Sequence, residues 1–187
     1  YTAAELDYFL GDAKPRIVVT GTAAAAAIAP LAARGGAVMF TLDGDEGGSL
    51  AEAAAQHQPG FTAVPRGSED LAAILYTSGT TGRSKGAKLC HRNLLSNAAV
   101  LRDYWRFSAD DVLLHMLPIY HTHGLFVASN LLAMVGGSMI FLPKFSADVA
   151  LEWLPKATSM MGVPTFYTRL LDHEGFTAEA SSHMRLF

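Results

Sequence analysis

Short apolar runs of strand length alternate along this chain with segments of helical periodicity, and that alternation restricts the fold more than any single motif. Residues 16–20, 37–42, 71–77, 112–117, 138–142 and 159–163 read as strands, and 185–187 begin one more. Between them, residues 3–12, an alanine-rich stretch from Thr22 to the Arg34-Gly35-Gly36 stop, and residues 50–56, 91–105, 124–135, 147–157 and 165–171 read as helices. In the 91–105 segment, Leu94, Leu95, Ala98, Leu101 and Trp105 are expected on one face. Strands separated by helices imply βαβ units, hence an α/β fold with parallel sheet and helices on both faces. Such sheets bind ligands beyond the carboxyl ends of their strands. The stretch 57–70 carries Pro59, Gly60, Pro65 and Gly67 and reads as a connecting loop that separates an N-terminal βα part from the remainder.

Composition excludes several classes. Fourteen Lys and Arg stand against 17 Asp and Glu, a net charge of -3, so the positive surplus of a nucleic-acid binder is missing. Half of the 187 residues are hydrophobic and 17% are charged, which argues against extended disorder. A single cysteine, Cys90, permits no intramolecular disulfide and favours a reducing, cytoplasmic compartment. No segment reads as a membrane span: the alanine-rich run is short and carries Pro30, and residues 124–142 are interrupted by Ser129, Asn130, Gly136 and Gly137.

The densest chemistry lies in Tyr76-Thr77-Ser78-Gly79-Thr80-Thr81-Gly82-Arg83-Ser84-Lys85-Gly86, directly after a predicted strand. Glycines let backbone N–H groups approach an anion, hydroxyls donate to phosphate oxygens, and Lys85 supplies a mobile charge. The bland alternative is a solvated Ser/Gly loop, which rarely carries this ordered set. The spacing is not that of a Walker loop, because Ser84 stands where the second glycine belongs, and no G-x-G-x-x-G is present.

This segment resembles the Y-T-S-G-T-T-G-x-x-K-G phosphate signature of the adenylate-forming enzymes, the acyl-CoA synthetases among them, with Ser84 in place of the usual proline. Arg83-Ser84 is similar to the malonyl-CoA synthetase group. His91-Arg92-Asn93-Leu94, Leu117-Pro118-Ile119-Tyr120-His121-Thr122-His123-Gly124-Leu125, Ser138 to Phe145 and Met161 to Leu171 extend the resemblance over essentially the whole chain. The resemblance implies part of the large N-terminal domain of an enzyme that joins a carboxylate to coenzyme A through an acyl-adenylate, with ATP and Mg²⁺. It implies a phosphate cradle of Thr77, Ser78, Gly79, Thr80, Thr81, Gly82 and Lys85. It also implies His121 beside the reacting carboxylate, with Lys85 and His121 as the catalytic residues.

For malonate, the second carboxylate needs a cation, and arginine suits it because its fork binds both oxygens. The resemblance points to Arg185 for that role and to Arg83 as a contributor to the polyanionic site; the plain alternative for both is a solvated surface arginine. His115, His121 and His123 lie close in sequence, but no Asp, Glu or Cys stands between them, so a metal site is not expected. Cys90 beside His91 makes no catalytic dyad, since helix neighbours point apart. Phe107, Tyr120, Phe126, Phe141, Phe145, Phe166 and Tyr167 read mainly as core, with one or two lining a pocket.

The chain opens on Tyr1 and closes on Met184-Arg185-Leu186-Phe187, ahead of the family segments that contact AMP and ahead of the C-terminal domain. The expectation is a fragment inactive by itself, with the partners limited to ATP, coenzyme A and a small carboxylate, and with neither nucleic acid nor membrane. Two readings stay open beside malonate ligation: another short-chain or aromatic acyl-CoA ligase, and a non-catalytic nucleotide-binding module.

Overall fold

The computed structural model describes residues 1–44, 47–77 and 84–187. The chain divides into two compact units, residues 1–65 with 76–86, and residues 66–75 with 87–187. The break between 65 and 66 falls inside the connecting stretch, and the segment containing the phosphate signature groups with the N-terminal unit.

In the first unit, α1 (Ala3–Ala13) starts at a capping box: the Glu5 backbone N–H donates to the Thr2 hydroxyl, and the Glu5 carboxylate accepts from the Thr2 N–H. It stops at Lys14, which takes a left-handed φ of 47° just before Pro15. Strands β1 (Ile17–Thr20) and β2 (Val38–Thr41) pair in parallel, Ile17 opposite Val38 and Thr20 opposite Thr41. Parallel neighbours need a crossover, and α2 (Thr22–Arg34) supplies it, running through Pro30. Asp43, just past β2, accepts hydrogen bonds from the backbone N–H and hydroxyl of Thr22 at the start of α2. A short α3 (Ser49–Ala55) follows, where Gly48 is required: its φ is 103° and a Cβ there would lie 2.5 Å from the Thr41 carbonyl oxygen.

Strands β3 (Leu71–Thr77) and β4 (Lys85–Cys90) form a two-stranded sheet. β4 was not expected: the sequence reading kept Lys85 and Gly86 in the loop. A run of Lys-Gly-Ala-Lys carries no apolar alternation from which to infer a strand.

The second unit is a three-stranded parallel sheet in the order β6 (Ser138–Phe141), β5 (Val112–His115), β7 (Ser159–Met161). Period-two alternation divides its residues between two cores. Leu114, Met116 and Met160 pack with α6 (Ala147–Trp153) and α7 (Pro164–Leu171) through Ala147, Ala150 and Leu170. Leu113 and Met161 face the other way, against Phe107 and against Ala128, Leu131 and Leu132, with Leu101 and Trp105 of α4 (His91–Trp105) at the margin. Helices therefore cover both faces, as the alternation requires. Leu95 departs from the expected apolar face and is exposed, because it sits one residue, about 100°, off the stripe through Leu94, Ala98, Leu101 and Trp105.

Two elements differ from the sequence reading. The expected helix over 124–135 is a π-helical segment, His123–Ser129, followed by α5 (Asn130–Val135). The expected helix over 147–157 gives way after Trp153 to a 3₁₀ turn, Leu154–Lys156, where Pro155 lacks an amide hydrogen. The chain end behaves as the beginning of a strand: Leu186 bridges Ser159 in parallel, Met160 N–H donates to the Leu186 carbonyl, and Arg185 N–H to that of Thr158.

Candidate active site

The carboxyl end of β5 builds the site. His115 closes the strand, Met116 and Leu117 stay buried, and the chain surfaces at Ile119 and Tyr120. Pro118 turns it: the His121 N–H donates to the Pro118 carbonyl at 3.2 Å, and the Leu125 N–H to the His121 carbonyl at 3.0 Å. Gly124 allows that turn to close, since a Cβ there would sit 2.4 Å from the Pro118 oxygen.

His121 is exposed, its ring 4.7 Å from that of Tyr120. With Leu117, Pro118, Thr122, His123, Gly124 and Val163 it lines a cavity of about 390 Å³. A second, smaller cavity of about 170 Å³ adjoins His123 and is walled by Trp105, Met161, Gly162, Tyr167 and Phe187 among others. His123 borders both. Burial, and then the nearby His115, hold the His123 imidazole below its ordinary pKa, which favours the neutral ring. Burial pushes the Tyr167 phenol up, against a hydrogen bond from the Gly162 N–H. Sequence reasoning weighed His123 only as a metal ligand; its place at two cavities depends on the turn at Pro118, which no periodicity reports. Tyr167 belongs to the aromatics read mainly as core, of which one or two were expected to line a pocket, and sequence alone does not pick it from the others.

Of the phosphate cradle, Thr77 ends β3 and Lys85 begins β4, both exposed. Ser78, Gly79, Thr80, Thr81, Gly82 and Arg83 lie outside the described residues. The residues flanking them are tied to one face of α1. The Tyr8 hydroxyl donates to the Ser84 carbonyl at 2.9 Å, and the Tyr76 hydroxyl to Asp12 at 2.5 Å. Tyr8 and Asp12 are four residues apart and so share that face. Burial, then the Asp12 acceptor, push the Tyr76 phenol up to about 12.

Arg185 is engaged by the protein itself. Its Nε–H and Nη2–H donate to the two oxygens of Asp111 at 2.7 Å each, Nη1–H donates to the Trp105 carbonyl at 2.8 Å, and the guanidinium stacks 4.7 Å from the Phe107 ring centre. Asp111 also accepts from Ser108 N–H at 2.8 Å and from the Thr158 hydroxyl at 2.7 Å. Burial pushes the Asp111 carboxyl up, but hydrogen bonds from Arg185, Ser108 and Thr158 and the charge of Arg185 outweigh it, leaving the carboxyl below its ordinary range. The Arg185 side chain is partly exposed to solvent, and the fork it would offer a carboxylate is occupied by Asp111. Sequence reasoning missed Asp111, an acid placed directly before an apolar strand.

Among the described residues, no group of three or more His, Cys, Asp or Glu is arranged to hold a metal ion, and no helix is long and apolar enough to cross a membrane.

Comparison with known proteins establishes the family. The model of the AMP-binding enzyme family matches residues 1–187. The chain belongs to the AMP-binding enzyme family. Its fold matches the ATP-bound crystal structure of MatB from Rhodopseudomonas palustris with a TM-score of 0.96 and 59% identity, covering 100% of this chain and 37% of that one. A malonyl-CoA ligase solved with methylmalonyl-CoA and AMP is 30% identical, with a TM-score of 0.77, over 97% of this chain and 37% of that one. The mitochondrial malonate–CoA ligase ACSF3 of Mus musculus is 37% identical over 178 residues, 91% of this chain and 30% of its own length. The chain thus spans about a third of the relatives it matches. The α/β expectation and the adenylate-forming resemblance both hold.

Proposed function

We propose that this chain carries the phosphate-binding and carboxylate-binding part of an ATP-dependent acid–CoA ligase, and that its acid is malonate or a close dicarboxylate. The observation that carries the reading is His121 at the open cavity beyond β5, in a chain 59% identical throughout to a MatB solved with ATP. In the first step a carboxylate oxygen bonds to the α-phosphorus of ATP and the bond to the β,γ-phosphates breaks, giving acyl-adenylate and pyrophosphate. In the second, the coenzyme A thiol takes the acyl group and AMP leaves with the electron pair.

The developing charge on the leaving pyrophosphate needs positioned donors. Thr77, Ser78, Gly79, Thr80, Thr81, Gly82 and Lys85 are the residues proposed for that work. Mg²⁺, if bound, would be held by hydroxyls of this segment together with the nucleotide, and would supply positive charge against the departing phosphates. His121 is proposed to orient the reacting carboxylate.

For the remote carboxylate, Arg185 has three of its five N–H groups already engaged by Asp111 and the Trp105 carbonyl, which leaves one on each terminal nitrogen. We therefore give Arg185 the task of holding the start of the last strand beside β7, and keep Arg83 as the cation proposed for the polyanionic site. A cytoplasmic location is proposed from the single cysteine and is tested by cell fractionation; recovery with mitochondria would overturn it.

The test of the reaction is product analysis of the full-length ligase with ATP, coenzyme A and either malonate or acetate. Malonyl-CoA and AMP formed together support the proposal. Acetyl-CoA in preference would retain the ligase and remove the dicarboxylate. ATP binding without any thioester would favour a nucleotide-binding module.

A further inference from the structure

His115 has no part in the chemistry above, yet it is fully buried at the end of β5, directly beneath the turn that presents His121 and His123. Its Nε2 lies 2.9 Å from the Gly124 carbonyl oxygen, and the Ser129 hydroxyl donates to that same oxygen at 2.9 Å. A carbonyl only accepts, so Nε2 carries the hydrogen and His115 is the Nε2–H tautomer. Nδ1 is buried and has no partner among the described residues. The imidazole rests against Phe141, ring centres 4.9 Å apart.

Gly124 and Ser129 are the residues that a π turn brings together, five apart. Were the turn to relax to α-helical spacing, the Gly124 carbonyl would meet residue 128 instead. Each residue removed from a helical turn rotates everything before it by about 100° relative to α5. His121 and His123 lie on the rotated side.

We propose that His115 is a positioning residue for the carboxylate site: with Ser129 it holds the Gly124 carbonyl in the wide turn, and thereby sets the direction in which His121 and His123 face their cavities. The proposal rests on the ligase reading for its consequence, and on geometry alone for the lock itself.

The experiment compares wild-type full-length ligase with His115→Leu, which keeps the bulk and loses the N–H, and His115→Gln, which keeps an N–H at similar reach. Loss of one buried hydrogen bond should raise KM for the acid about five- to tenfold, leave KM for ATP unchanged, and leave Tm unchanged or higher, because the unpartnered Nδ1 is also removed. Gln should recover most of the acid KM. In a ¹⁵N histidine spectrum, one buried Nε2–H tautomer should vanish in His115→Leu while the His121 and His123 signals move. An unchanged acid KM overturns the proposal, as does a parallel rise of both KM values with a fall in Tm, the signature of general destabilisation. If wild-type enzyme shows no acid-dependent turnover, the ligase reading fails, and the spectrum alone decides the lock: unmoved His121 and His123 signals overturn it.

Discussion

Replacing Arg185 with Met separates its two candidate roles. The guanidinium makes a two-pronged contact with Asp111, whose side chain is only 4% exposed, while its own is 37% exposed. Removing one member of a buried ion pair costs about 3–5 kcal/mol, because the other charge stays buried and unpaired. Solvent already reaches part of Arg185, and Asp111 keeps its bonds from Ser108 and Thr158, so about 2–3 kcal/mol is the reasoned loss. For a domain of this size that is a Tm lower by about 4–12 °C. The double cycle with Asp111→Asn should show coupling: Arg185→Met should cost little once the carboxylate is gone. The acid side gives a second check. Asp111 is depressed in the folded state, so its stabilisation is complete above the unfolded value near 3.8 and is lost as pH falls through the lower folded value. The wild-type advantage over Arg185→Met should therefore be full above about pH 4 and shrink progressively below it, as pH falls through the lowered folded value. Thermal and urea unfolding against pH, beside KM for malonate, is the assay. A Tm within a degree of wild type, with KM for malonate tenfold higher, would refute this reasoning and return Arg185 to the substrate.

Lys85→Ala should lower acid-dependent ATP–pyrophosphate exchange by about 10²–10³ with Tm unchanged, since Lys85 is exposed at the strand start; wild-type exchange would remove the phosphate role. Gly124→Ala should cost about 1–3 kcal/mol, because the added Cβ meets the Pro118 carbonyl at 2.4 Å in a buried turn; unchanged unfolding would show that the turn yields freely. Tyr76, held up to about 12, should give an ionisation step near that pH in ultraviolet titration, and Asp12→Asn should lower that step. The unfolded phenol ionises near 10, so this contribution to stability holds below pH 10 and is lost between there and 12.

Much of this architecture was legible because periodicity reports burial. The run 112–117 reads as a strand, and Leu113 and Leu114 within it face opposite cores. The phosphate segment was legible for a different reason: glycine, hydroxyl and lysine in order carry chemistry without needing a fold to reveal it. What stayed hidden depends on contacts between distant residues. Arg185 and Asp111 are 74 positions apart, and no local pattern pairs them. The π-helical turn at His123–Ser129 rests on a hydrogen bond from His115 and on the space taken by the Pro118 carbonyl, whereas its sequence alone suits an ordinary helix. Likewise, Tyr8 and Asp12 reach Ser84 and Tyr76 only once α1 is in place.

The most direct test of the central claim is ATP–pyrophosphate exchange by the full-length ligase with malonate, methylmalonate and acetate in parallel. Exchange with malonate well above acetate is expected, since one carboxylate is adenylated while the other is recognised by charge. Equal exchange with acetate, or none with any acid in a protein that still binds ATP, would contradict it.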